Sequence, residues 1–277
     1  METNVLRPKD AIVANIIESY LLAEAHKLVE LNSIPNGRVD ASLVLDGELE
    51  RLSGLTGRFE ALPPGVFYPL STTIGKFRSR KYLRCVGIKF YPHVLSLPAF
   101  DYVSLSEPFS FDEIFKPSCN KQLIRNLRRA PDHSEVIRIL DAYFIEQLFT
   151  NFSPDNWILD VTRAIESESS AQLKIVKVAE GMGMHIKTLE RRFQKTIGLS
   201  PKSFSAIIRL QQAMKNIQKN RTTISHGDLM DALEHGYYDQ SHFIKSCMQI
   251  TGLTPKRVLM GLPRNVTDIF QISFSKK

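Results

Sequence analysis

Two groups of polar side chains stand on amphipathic stretches in the last third of this 277-residue chain. In the first, Ile186, Leu189, Phe193 and Ile197 recur at three- and four-residue steps and so share one helix face. Lys187, Glu190 and Arg191 then point away from that face, with Arg192 and Lys195 at its flank. In the second, Asp239 is a good helix N-cap and Phe243, Cys247 and Ile250 form the apolar stripe. That arrangement turns Gln240, Ser241, His242 and Lys245 outward. These residue types suit hydrogen bonding to the edges of bases. Arg pairs bidentately with guanine, Lys makes a one-point contact, Gln pairs with adenine, Ser serves several bases and Glu accepts from a cytosine amine. Arg192 and Lys195 are better placed for phosphates. His242 has a second reading, as a helix-end residue satisfying local backbone groups near Asp239. An ordinary solvated helix presents similar faces, so the supporting elements decide.

Each polar helix follows a shorter apolar one. Leu173, Val176 and Ala179 precede the first, with Gly181 and Gly183 permitting a tight turn. Leu229, Ala232 and Leu233 precede the second, with Gly236 at the turn. Between the two units Pro201 opens a long helix. Its Phe204, Ile207, Ile208, Gln211, Met214 and Ile217 make a mostly apolar face, with Arg209 near the middle. Such a rigid spacer would fix the separation of the polar helices. Gly198-Leu199-Ser200-Pro201 and Gly252-Leu253-Thr254-Pro255 are nearly one phrase, repeated 54 positions apart, and each closes a unit.

Charge is distributed in the same sense. Residues 171–277 carry 17 Lys/Arg against 7 Asp/Glu, whereas the first 170 carry 19 against 22. A basic segment joined to a slightly acidic one fits a polyanion-binding module attached to a separate domain, because phosphate contacts need local positive charge. The three cysteines, Cys85, Cys119 and Cys247, are too few and too scattered for a disulfide framework or a clustered zinc site, and read as free, mostly buried thiols. The seven histidines form no close pairs with carboxylate support, so no metal is expected. No nucleophile motif, Walker loop or dinucleotide-binding glycine pattern is present, which argues against an enzyme and against a cofactor. No run of 18 apolar residues and no secretory leader is visible, so the expected location is cytoplasmic.

The first part of the chain reads as mixed. Ala11 to Leu31 has a helix-like apolar rhythm, ending at the turn signal from Asn32 to Gly37. Short β-type runs follow over Val39–Leu45, Val66–Leu70 and Tyr82–Tyr91, the last with one apolar face, and together they predict a small sheet or barrel. Phe67, Tyr68, Tyr82, Phe90, Tyr91 and Phe100 are either its core or the lining of a small pocket. From Asn120 the rhythm is helical, through Val136, Leu140 and Phe144 to Ile158, Val161 and Ile165. Ser167 to Ser170 reads as a linker. The expected fold class is α+β. An N-terminal β-rich domain with a helical end (1–168) is followed by an all-α tandem helix-turn-helix domain (169–262) and a tail (263–277).

The order of these residues resembles the DNA-binding domain of the AraC/XylS family over Leu173 to Leu259. The most specific stretch is Gly236-Tyr237-Tyr238-Asp239-Gln240-Ser241-His242-Phe243-Ile244, followed at the proper spacing by Thr251 to Pro255. The resemblance implies transcriptional control, with two recognition helices entering successive major grooves on one face of double-stranded DNA, about 34 Å apart. Val86 to Pro92 resembles, more loosely, the N-terminal half of some members, where a β-rich domain binds a small-molecule effector or holds a homodimer. RNA polymerase is an implied partner for an activator. Three residues depart from the pattern: Cys247 replaces a usual large aromatic, Lys245 a usual Arg, and the acidic Glu190 repels phosphates. Two alternatives remain at this stage. One is an alkyl-transfer enzyme using the same module, which would need a reactive cysteine and typically a four-cysteine zinc site. The other is a ligand-binding protein that has lost DNA binding.

Overall fold

The run Ile17–Ala25 is buried along most of its length on both faces, a pattern that requires a central strand covered on each side. The computed structural model describes residues 2–148, 156–167, 175–219 and 236–261. Its strands are β1 (Glu2–Leu6), β2 (Ile17–Ala25), β3 (Val29–Ser33), β4 (Val39–Gly47), β5 (Glu50–Leu52), β6 (Phe59–Ala61), β7 (Gly65–Tyr68), β8 (Gly75–Ser79), β9 (Leu83–Phe90) and β10 (Phe109–Ser110). Six of them form one sheet in the order β1-β2-β9-β4-β7-β10 and four a second in the order β3-β8-β5-β6, with antiparallel pairing in both.

The helix expected over Ala11–Leu31 is therefore wrong. That stretch forms a single 3-10 turn at Val13–Asn15, then β2 and β3. Ile16, Ile17, Tyr20 and Leu21 are all buried, and a strand covered on both faces loses the period-two alternation that marks a half-exposed one. For the same reason β9 has no single apolar face. Val86, Ile88 and Phe90 pack toward the helices, while Leu83 and Cys85 pack toward the second sheet.

Helices cover the outer face of the six-stranded sheet. They are α1 (Phe111–Ile114), α2 (Pro117–Arg129), α3 (His133–Leu148) and α4 (Asn156–Ser167). Phe67 centres this layer. It stacks on Phe111 at 4.4 Å and Phe109 at 5.3 Å, and meets Phe100 edge-on at 5.4 Å and Phe90 at a tilt at 5.5 Å. Phe67, Phe90 and Phe100 are thus core rather than pocket lining, whereas Tyr82 is exposed. The linker reading is corrected at Ser167, which ends α4; residues 168–170 and the tail 263–277 lie outside the described residues.

Among the described residues five more helices follow: α5 (Ile175–Gly181), α6 (Ile186–Ile197), α7 (Pro201–Lys219), α8 (Gln240–Thr251) and α9 (Pro255–Gly261). The main core continues from the sheet into this part through Ala179, Leu189, Phe193, Ile197, Phe204 and Ile208. A separate cluster joins Ile207, Leu210, Met214 and Ile217 of α7 to Phe243, Cys247 and Ile250 of α8. Among the described residues no helix is long and apolar enough to cross a membrane.

Two measurements test this packing. Phe67→Ala should lower unfolding stability by about 3–5 kcal/mol in denaturant titration, as loss of a buried aromatic does; a loss under about 1 kcal/mol would show that the ring is not central. His93, buried in the 3-10 turn Pro92–Ser96, bonds through Nε2 to the Asn15 carbonyl at 2.8 Å, and burial pushes its pKa down from 6.5 to about 4. Below 6.5 the unfolded chain takes up this proton and the folded chain does not. The histidine's contribution is therefore complete above about 6.5 and falls by ~3 kcal/mol as pH drops toward 4. Asp40, pushed up to about 6 by burial, acts in the opposite sense between 6 and its ordinary 3.8. The difference between wild type and His93→Gln isolates the histidine: it should change with pH between 4 and 6.5 and be flat above.

Candidate nucleic-acid interface

In the first unit α5 ends at Gly181, and the chain turns through Gly183 at φ +62° before α6. His185 caps α6, its Nδ1 accepting the Lys187 N–H at 3.3 Å. Leu189, Phe193 and Ile197 are buried with no more than a trace of exposure, while Ile186 is half-buried. That anchoring leaves Lys187, Glu190, Arg191 and Lys195 exposed, as their positions predict. Thr188 is exposed as well and lies one turn before Arg191, a neighbour that the same periodicity could have identified.

Arg192 has a different setting. Its guanidinium lies 4.4 Å from the centre of the Trp157 ring on α4, so this side chain ties α6 to the first domain. Gln194 donates to the Gly198 carbonyl at 2.7 Å and helps close the helix.

The helix α8 of the second unit is capped and buried alike. Asp239 Oδ1 accepts the His242 N–H at 2.7 Å and caps α8. Phe243 and Cys247 are fully buried and Ile250 nearly so. Ser241, His242 and Lys245 are exposed and Gln240 is half-buried. The His242 ring lies 5.4 Å from that of Tyr237, and its Nδ1 accepts the Tyr238 N–H at 3.4 Å. The local role considered for His242 is thus present, although with Tyr238 rather than Asp239 as the imidazole's partner. An accepting Nδ1 places the ring proton on Nε2 and makes that nitrogen a donor. Tyr238, 91% exposed beside the N-cap, was not among the candidates, and its position next to the capping residue was the available signal. Leu173, Leu229, Ala232 and Leu233, expected in the leading helices, lie outside the described residues.

The repeated Gly-Leu-Ser/Thr-Pro phrase has a plain function. Gly198 and Gly252 close α6 and α8 in the left-handed region, at φ +81° and +65°, and Pro201 and Pro255 open the helices that follow. Cys247 is fully buried on α8. Its Sγ lies 3.6 Å from Thr251 Oγ1 and 3.4 Å from the Leu253 carbonyl, and Thr251 Oγ1 donates to the Cys247 carbonyl at 2.7 Å. Burial pushes the thiols of Cys247 to about 11 and Cys85 to about 12, so both are protonated at neutral pH. Cys85 and Cys119 are half-buried, so only Cys247 meets the expectation of buried thiols. Among the described residues no group of three or more His, Cys, Asp and Glu side chains converges as a metal site.

Two helices therefore present polar faces from capped, buried supports, joined by the 19-residue α7. The model of a helix-turn-helix domain family matches residues 178–260 and encloses both. No curated protein sequence matches the chain. Among solved structures, ToxT from Vibrio cholerae aligns over 87% of this chain and 97% of its own at a TM-score of 0.54 and 8% identity. A form of ToxT with bound unsaturated fatty acid aligns over 87% and 94% (0.50, 9%). ToxT bound to a methylnaphthalenyl butenoic acid aligns over 94% and 99% (0.51, 7%). Identities this low establish a shared fold. The matched domain favours a DNA-binding regulator over an alkyl-transfer enzyme. The chain thus carries a helix-turn-helix domain of the AraC type over residues 178–260, within a fold shared with ToxT.

Proposed function

We propose that this regulator reads a specific double-stranded DNA sequence with α6 and α8, set in successive major grooves on one face of the duplex. The observation that carries this reading is the exposure of two polar helix faces, each held outward by a capped N-terminus and a buried stripe, within the matched domain. Lys187 and Arg191 are assigned to guanine edges, Glu190 to a cytosine amine, and Gln240 to adenine. Ser241, His242 and Lys245 complete the second face, and Lys195 contacts phosphate. Arg192 is assigned to phosphate too, a role that requires it to leave the Trp157 ring.

Residues 1–168 are proposed to sense a small-molecule effector or hold a homodimer. Support for an effector comes from an apolar cavity between the sheets, walled by Leu21, Leu31, Phe77 and Leu83 with Tyr68 and Ser42 as polar groups. Lys89 and Asp40 extend the same strand row beside Tyr68. An almost wholly apolar lining suits the hydrocarbon part of such a ligand, and the two liganded ToxT structures carry molecules of that kind, an unsaturated fatty acid and an aryl butenoic acid. The protein is proposed to act without catalysis, in the cytoplasm, and with RNA polymerase if it activates.

Selection from a random duplex library should enrich a motif of two blocks about one helical turn apart; no enrichment would reject the proposal. Arg191→Ala and Gln240→Ala should each weaken binding by about 1–3 kcal/mol and relax preference at a different position. Unchanged preference in both would reject the assigned faces. Lys195→Ala should weaken all sites alike and lower the slope of log affinity against log salt by about 1. Asp239→Ala should reduce stability by about 0.5–2 kcal/mol in thermal or denaturant unfolding, through loss of the cap on α8.

A further inference from the structure

The second helix-turn-helix does not rest on C-terminal residues alone. Ile34, just after β3 in the first domain, is 2% exposed and belongs to the buried cluster formed by α7 and α8. Its loop is tied to α7 at two further points. Gln211 Nε2 donates to the Pro35 carbonyl at 2.6 Å in a buried setting. Gly37, at φ +72°, approaches so closely that a Cβ there would stand 2.5 Å from Ile208 Cδ1. Arg38 secures the far end of the loop. It donates to Glu18 of β2 and, at 2.5 Å, to Glu166 of α4, and its guanidinium lies 5.0 Å from the Tyr91 ring centre. Gln212 of α7 donates to the Glu166 carbonyl at 2.8 Å, so α4, α7 and the loop meet at one place.

The two recognition helices differ in this respect. The stripe of α6 belongs to the main core, whereas the stripe of α8 lies in the smaller cluster, where Ile34 is the fully buried residue from the first domain among those described. We propose that Ile34 is a positioning residue for α8: the first domain supplies part of the core that holds this helix in its reading orientation. The inference rests on reading α6 and α8 as recognition helices. It also gives the first domain a route to the DNA. Ser33, Pro35, Asn36, Arg38 and Asp40 line a cleft completed by Tyr68 and Phe77, so a small molecule entering it touches the loop that seats α8.

The test is duplex-library selection with the full chain as wild type, Ile34→Ala and Ile34→Leu, alongside amide hydrogen exchange. Wild type is expected to enrich two blocks. Ile34→Ala should keep the block read by α6 and flatten the block read by α8, with about tenfold or greater loss on the full site. Its α8 amides should exchange faster while those of β2, β4 and β9 stay unchanged. Ile34→Leu should restore both blocks. Retention of both blocks with unchanged α8 exchange would overturn the proposal, as would joint loss of both blocks with faster exchange in the sheet. If Ile34→Ala does not fold, Gly37→Ala, which displaces the loop through Ile208, is expected to give the same split, and equal blocks in it would overturn the proposal. If wild type enriches no motif, the DNA reading falls and the recognition role of Ile34 with it. The exchange comparison would still report whether Ile34 holds α8.

Discussion

Burial of β2, β9 and β4 on both faces is the constraint from which the rest of the molecule follows. One face needs the second sheet, which supplies Val29 and Phe77. The other needs helices, and Phe67 with its aromatic neighbours fills the space beneath them. A layer so covered has no room for unpaired charge, yet Lys89 and Asp40 stand opposite one another on β9 and β4, each almost fully buried. Burial lowers the pKa of Lys89 and raises that of Asp40, and the attraction between them opposes both shifts. Glu18 attracts Lys89 more strongly than Asp40 does, and Asn36 donates to Asp40 Oδ2 at 2.9 Å, so each buried charge keeps a second partner.

The same core extends into the DNA-binding part, so the two parts are not independent bodies joined by a string. Phe193 and Phe204 lie 5.6 Å apart within a cluster that also holds Phe90 and Phe144 of the first domain. The helix α6 uses its surfaces for separate purposes. Its apolar stripe faces the core, Arg192 rests over Trp157, and its capping Gly198 lies against Leu105. The face bearing Lys187 and Arg191 remains open to solvent. A shift of the first domain would therefore be felt by α6 through packing, without any change in the residues that face outward.

The chemistry of the candidate interface is that of recognition. Its exposed groups donate and accept hydrogen bonds or carry fixed positive charge, and the thiols of Cys85 and Cys247 are held neutral by burial. Thr251 and the Leu253 carbonyl give the Cys247 sulfur polar neighbours within the buried stripe of α8.

The sequence by itself determined the local features of the DNA-binding part. Helix starts at Ile186, Pro201 and Gln240, the cap at Asp239, the closing glycines and the outward faces all depend on residues within about one turn of each other, where spacing is informative. It also located β4, β7 and β9, whose apolar runs are bounded by turn residues. Only the tertiary structure decided that Ile17–Ala25 and Val29–Leu31 are strand rather than helix, because two-sided burial erases the alternation by which a strand is read. It alone decided that Arg192 meets Trp157, and that Ile34 completes the core beneath α8. These contacts join residues 35 to more than 200 positions apart, and no periodic pattern encodes a partner at that distance.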